Sequence, residues 1–287
     1  MNGKVCMITG ANSGIGKVMA LELAKMGANM VMVCRSEARG EKAQKEIIAQ
    51  SGSNSVELMT ADLSLMSEVR RLAEEFRKKH DRLHILINNA ALWPTKKMMT
   101  KEGLEMQFAI NHLSHFLLTN LLLDVIKDSA PARIINVSSG LHRRVKMDFD
   151  NLQAEKGYRH MGVYGRTKLA NMYFTKELAR RLNGTDVTVN AFTPGMVSTN
   201  LGRYMSGVSR WFWKTFSGSA ERGAATGVYL AASPEVAQVT GKYFANSKET
   251  RSSKISYDKG TAKRLWKVSE ELAGLVLLTP GSTGSSP

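Results

Sequence analysis

Short apolar runs alternate with segments of helical periodicity along almost the whole chain, and this order restricts the architecture more than any other feature. "KVCMIT" (4–9) is followed by "IGKVMALELAKMG" (15–27), and "NMVMVCR" (29–35) by a charged helix over 37–50. "SVELMTADL" (55–63) precedes a helix over 65–80, and "LHILIN" (83–88) a loop and a long helix over 104–127. "ARIINVSS" (132–139) leads to a helix over 164–182 and "DVTVNAFTP" (186–194) to a helix over 219–232, while "GKYFAN" (241–246) is a short seventh strand. Strands separated by helices pair in parallel through βαβ crossovers. Strands this uniformly apolar belong to a sheet covered on both faces. The expected fold is α/β: one Rossmann-type doubly wound domain over 1–275, with a parallel seven-stranded sheet flanked by helices on both faces. The small polar end, within 276–287, reads as disordered.

"TGANSGIG" (9–16) joins the first strand to the first helix. Gly10, Gly14 and Gly16 permit a tight turn and close approach of a phosphate to the backbone, and a helix N-terminus favours that anion. The spacing is not G-x-G-x-x-G, so the usual dinucleotide fingerprint is absent and a glycine turn without a ligand is the bland alternative. The second strand ends Val33-Cys34-Arg35-Ser36, where a carboxylate would ordinarily hold a free ribose 2′-hydroxyl. Arg35 suits a 2′-phosphate instead, with Arg39 and Lys42 following, and this favours NADP over NAD. Asp62, ending the third strand, suits either an adenine amino group or an N-cap for the next helix. "NNAA" (88–91) places small and amide residues at a strand carboxyl end, where open α/β sheets bind ligands.

In "VYGRTKLAN" (163–171), Tyr164 and Lys168 share a helix face four residues apart, with the weak helix former Gly165 between them. A phenol of ordinary pKa near 10 is a poor base at neutral pH, and lowering it by ~2–3 units takes ~3–4 kcal/mol. One ammonium at ~4 Å supplies about 4 kcal/mol at an effective dielectric of ~20, so a single lysine suffices in magnitude. Ser139, at the end of the fifth strand, can hold a substrate oxygen, and Asn111 can anchor a proton relay. A tyrosine and a lysine on one solvated helix face is the commoner arrangement. It is disfavoured because loop, serine and pair occur in one order on one sheet.

Taken together, "TGANSGIG", "NNAA", "INVSS" and "YGRTK" resemble the short-chain dehydrogenase/reductase pattern in type, order and approximate spacing. The likeness runs over about residues 3–275. "NHLSHFLLTNLLL", "FTKELARRL", "TGKYF" and "AKRLWKVSEELAGL" look most like the branch of retinol dehydrogenases 11 to 14. The resemblance implies NADP(H)-dependent exchange between an alcohol and an aldehyde or ketone, retinal/retinol-like or otherwise lipophilic. It also implies a catalytic tetrad of Asn111, Ser139, Tyr164 and Lys168. By the same matching, Gly10, Asn12, Ser13, Gly14, Ile15, Gly16, Arg35, Asp62, Leu63, Asn88, Ala90, Tyr164, Lys168, Pro194 and Gly195 would touch cofactor. Reduction of steroid, lipid or xenobiotic ketones is an alternative, and an NADP-binding scaffold without turnover a further one. Homodimers or tetramers fit the resemblance.

A net charge of +15 points to anionic partners, yet no nucleic-acid signature accompanies it, so no nucleic-acid partner is expected. No metal site is expected either: His112, His115, His142 and His160 form no ligand set and read as surface or packing residues. Cys6 and Cys34 lie in strand-like runs and read as reduced core residues, which suits a reducing compartment. The chain shows no signal peptide and no ~20-residue apolar span. It reads as cytoplasmic or peripherally membrane-associated. "RWFWKTF" (210–216) is open to three readings: a lid, a dimer contact or a lipid-surface contact.

Overall fold

The computed structural model describes residues 1–195 and 218–275. The readings of 196–217 as lid, dimer or lipid contact, and of 276–287 as a disordered tail, lie outside the described residues.

Eight strands form one sheet in the order β3-β2-β1-β4-β5-β6-β7-β8. They are β1 (Val5–Thr9), β2 (Asn29–Cys34), β3 (Val56–Thr60), β4 (Ile85–Asn88), β5 (Ala132–Val137), β6 (Val187–Thr193), β7 (Tyr243–Ala245) and β8 (Lys248–Thr250). The first seven pair in parallel. The eighth, beyond the seven expected, runs antiparallel to β7. It forms because Asn246 and Ser247 both take left-handed conformations, φ 50° and 58°, which is the two-residue hairpin geometry matching strand twist. Asn-Ser signals such a turn far more weakly than Asn-Gly, and "KET" carries no apolar alternation.

On one face lie α1 (Gly14–Lys25), α2 (Glu37–Ser51) and α8 (Ala220–Ala232). Their core with Cys6, Ile8, Met30, Met32, Ile87 and Phe192 is closed by Gly227, where a Cβ would lie 2.3 Å from Met19 Sδ. The other face carries α3 (Met66–Lys79), α5 (Ser114–Leu121), α7 (His160–Arg181) and α9 (Lys259–Leu272), packed on Met7, Val31, Leu86 and Val189. Asp258 caps α9, accepting from Gly260 N–H at 3.2 Å and Thr261 N–H at 3.0 Å. Trp266 of that helix packs against Phe116 and Phe174. Both cysteines are buried and free. Among the described residues no helix is long and apolar enough to cross a membrane.

The helix expected over 104–127 is a composite. α4 (Met106–Phe108) runs into a π-helical turn (Ala109–Leu113), then α5, then α6 (Leu123–Asp128). Apolar periodicity cannot distinguish one helix from such a chain of pieces, since the burial pattern is shared; the π turn arises where Asn111 reaches across to another segment. Because the chain leaves β3 and crosses to β4 beside β1, strand order reverses between β1 and β4, and a crevice opens at their carboxyl ends.

Candidate active site

A cavity of about 750 Å³ occupies that crevice. Its walls come from the β1–α1 loop, the ends of β2 and β3, the segment after β4, the turn after β5, the start of α7 and the end of β6.

The glycine loop is held open by its sequence. Gly10 and Gly14 have φ of 69° and 55°, which L side chains rarely adopt. A Cβ on Gly16 would sit 2.5 Å from Gly10 O and from Asn89 Nδ2. Ser13 precedes α1 without capping it through its side chain, so N–H groups at the helix start remain for an anion. Asn12, Ser13, Gly14, Ile15 and Gly16 all line the cavity, as do Leu63, Ala90, Pro194 and Gly195.

Of the two asparagines in "NNAA", it is Asn89 that faces the cavity. Asn88 does not line it: its side chain donates to Thr119 Oγ1 and Asn136 Oδ1, both at 2.9 Å, inside the core. Alternation along a strand sends neighbouring side chains to opposite faces, so a one-residue difference exchanges wall for core. Asn89 Nδ2 donates to Thr9 O at 2.7 Å and Gly10 O at 3.3 Å, tying the glycine loop to β4.

Arg35 and Arg39 stand at one end of the cavity with Asp62. Asp62 does not cap α3, whose N-cap is Leu65. Its Oδ1 accepts from Ser64 N–H at 3.0 Å and Ser64 Oγ–H at 2.7 Å, and its Oδ2 lies 4.0 Å from Arg35 Nη1. Glu102 supplies the capping of α3 from a distance, accepting from Met66 N–H at 2.6 Å and Ser67 N–H at 3.1 Å.

Toward the other end, Ser139, Tyr164 and Lys168 line the same cavity. Lys168 is fully buried and Tyr164 is 7% exposed. The Tyr164 ring stacks on Trp93, with centroids 5.1 Å apart and planes 25° from parallel. Ser138 Oγ–H donates to Lys168 O at 3.0 Å, joining the end of β5 to α7. Gly165 is where the Gly140–Arg144 3₁₀ turn seats on the helix. A Cβ there would lie 2.9 Å from Val145 Cγ1 and 3.1 Å from Leu141 O. Gly165→Ala gains up to about 1 kcal/mol of helix propensity but overpacks this contact at a cost of about 1–3 kcal/mol. A lower Tm than wild type is the expected result in a thermal melt; a raised Tm would show that the turn yields freely.

A family model described as "short chain dehydrogenase" matches residues 4–207. The chain belongs to the short-chain dehydrogenase family. It falls on the retinol dehydrogenase branch: human retinol dehydrogenase 14 is 43% identical, the match spanning 96% of this chain and 88% of the relative. Mouse retinol dehydrogenase 12 is 44% identical over 95% of this chain and 87% of that one. A crystal structure of a Mycobacterium paratuberculosis protein superposes with TM-score 0.78 at 31% identity, covering 95% of this chain and 94% of that chain. Pseudomonas aeruginosa RhlG, in an NADP active-site complex, gives 0.69 at 25% identity, covering 85% and 94%. The protein is therefore an oxidoreductase of a family that uses a nicotinamide cofactor, and the uncapped helix start and the three glycines of the loop fit such a dinucleotide.

One electrostatic expectation for this dehydrogenase needs correction. Lys168 was expected to lower the Tyr164 phenol; instead burial raises the phenol above its ordinary value. The lysine amine is itself pushed down by burial, to about 7, and donates to Val137 O at 3.0 Å. Its Nζ lies 5.5 Å from the Tyr164 ring centroid. A charge transferred from water to a dry site loses more hydration than one distant neighbour returns, so burial outweighs the pair attraction here. Asn111, expected in a proton relay, is not in the cavity wall. Its Oδ1 accepts from Leu92 N–H at 2.8 Å and its Nδ2 donates to Leu92 O at 3.0 Å, fixing the segment that carries Trp93. Its backbone carbonyl accepts from Asn171 Nδ2 at 2.9 Å; the same amide reaches Val137 O at 3.4 Å.

Among the histidines, His112, His115 and His142 are buried and each has a hydrogen-bond partner. Burial pushes His112 down to about 4. Trp93, the first aromatic after "NNAA", escaped the sequence reading; its adjacency to a strand end was the available signal.

Proposed function

We propose that this oxidoreductase uses NADP(H) to interconvert a lipophilic aldehyde or ketone, retinal-like in class, with its alcohol. The observation that carries the reading is the joint placement, in one cavity, of an uncapped glycine-loop helix, an arginine pair, and the buried Tyr164 and Lys168 beside Ser139. Support for the substrate class comes from the names of the relatives and from the apolar wall of Leu92, Trp93, Ile110, Leu141 and Met161.

NADP(H), when bound, supplies or accepts a hydride. The helix start and the Gly10–Gly16 loop hold its pyrophosphate, and Arg35 with Arg39 hold the 2′-phosphate. The Ser139 hydroxyl orients the carbonyl oxygen. Tyr164, kept a neutral phenol by burial, donates its proton to that oxygen in reduction and receives the alcohol proton in oxidation. Lys168 lies within one helical turn of Tyr164; when charged it stabilises the phenolate left after donation. Asn111 holds the Leu92–Trp93 segment against the tyrosine ring.

The test is an activity matrix of NADH and NADPH against retinoid, medium-chain, steroid and xenobiotic carbonyls. NADPH with lipophilic aldehydes is expected to give the fastest turnover. Arg35→Asp should shift the ratio of kcat/KM values toward NADH by about 10- to 100-fold, the worth of a charge-assisted phosphate contact. An unchanged ratio rejects the role of Arg35, and no turnover with any carbonyl rejects the enzyme reading.

A further inference from the structure

We infer that His142 is a positioning residue for Ser139; this rests on the reading of Ser139 as the group that orients the substrate carbonyl. His142 is fully buried within the 3₁₀ turn that follows β5. Its backbone N–H and its Nδ1 both meet the Ser139 carbonyl oxygen, at 3.1 and 2.6 Å. Its other ring nitrogen, Nε2, lies 3.1 Å from Ser253 N–H. A backbone amide only donates, so Nε2 accepts and the ring proton resides on Nδ1, where it donates to Ser139 O. Both nitrogens of a neutral imidazole are thereby used, and neither is left for substrate.

The ring stands edge-on to Tyr243 of β7, centroids 5.0 Å apart at 73°. Arg143, the next residue, lies over the same tyrosine at 5.7 Å and donates to Arg251 O. The serine-bearing turn is thus anchored on two sides: on α7 at Gly165, and through His142 and Arg143 on β7 and the 251–253 segment. Two donors on one carbonyl fix the Ser139–Gly140 peptide plane. That matters because, among the described residues, Ser139 Oγ has only a long contact of its own, accepting from Leu141 N–H at 3.3 Å. The hydroxyl is placed by its backbone, and the backbone is placed in part by His142. Displacement of such a group by about 1 Å costs up to about 100-fold in rate.

The experiment compares His142→Phe, His142→Asn and His142→Gln in the full-length protein, with Tyr164→Phe as control for the underlying reading. Asparagine sets an amide N–H near the position of Nδ1 and so retains the bond to Ser139 O; glutamine reaches the Nε2 position and retains only the link to Ser253. With the best carbonyl substrate, His142→Phe should lower kcat by about 10- to 100-fold while the Kd for NADPH stays within about twofold. His142→Asn should recover most of kcat and His142→Gln should not. In a Ser139→Ala background the His142→Phe loss should largely disappear, as expected for residues acting through one another. Equal impairment of the asparagine and glutamine variants, or kcat and cofactor affinity falling together, overturns the proposal. If the phenylalanine variant does not fold, the asparagine–glutamine comparison decides alone. Wild type turning over while Tyr164→Phe does not confirms that a negative result here concerns His142 and not the reaction.

Discussion

Tyr164→Phe is expected to lose turnover by about 10²- to 10⁴-fold, the usual worth of a positioned general acid, while NADPH affinity stays near wild type. The variant isolates chemistry from structure. The ring is what packs: it stacks on Trp93 and is 7% exposed, and phenylalanine keeps that surface. The lost atom is the hydroxyl oxygen, whose proton burial holds above its ordinary range. A raised phenol remains protonated through neutral pH, which suits donation to a carbonyl. Alcohol oxidation needs the proton gone, so its rate should climb with pH while carbonyl reduction does not. Wild-type rates from the phenylalanine variant, measured by the absorbance of NADPH, would end the assignment.

Lys168→Met is expected to abolish most activity and yet to stabilise the fold at mildly acidic pH. The amine sits with no exposed surface and loses its proton near pH 7, against an ordinary value of 10.5. Below about pH 7 both folded and unfolded chains hold that proton, and the folded state bears the full cost of a buried charge. Between about 7 and 10.5 the unfolded chain is charged while the folded one is neutral, so stability rises with pH across that window. Methionine has similar length and no charge, and Val137 O keeps its contact with Asn171 Nδ2. At pH 6 the variant should gain about 2–4 kcal/mol, a Tm increase of roughly 5–10 °C, shrinking toward zero near pH 10. A variant less stable than wild type at pH 6, or a difference independent of pH, would show that Lys168 is not buried at a cost. A group retained in spite of such a cost belongs to function rather than to folding.

The strand–helix alternation, the covered sheet and the crevice at its carboxyl edge were legible in the chain, because each follows from local periodicity. So were the glycine loop, Arg35, and the pairing of Tyr164 with Lys168, since all depend on residues close in sequence. Asn88, expected beside the cofactor, turns its side chain into the core while Asn89 lines the cavity, because strand phase is decided by the register against β1 and β5, not by the composition of "NNAA". The eighth strand was missed because two left-handed residues without glycine carry no marker. Gly165 looked like a flaw in a helix; only the seating of a distant turn on its bare Cα explains it.

By itself, the order of apolar segments and motifs determined the layered architecture and brought the candidate groups to one edge of the sheet. What only the tertiary structure decided is the state of those groups. Burial set the phenol high and the amine low, because hydration lost in a dry interior depends on everything packed around a side chain, including Trp93 and Val137, which lie some seventy and thirty residues away in the chain.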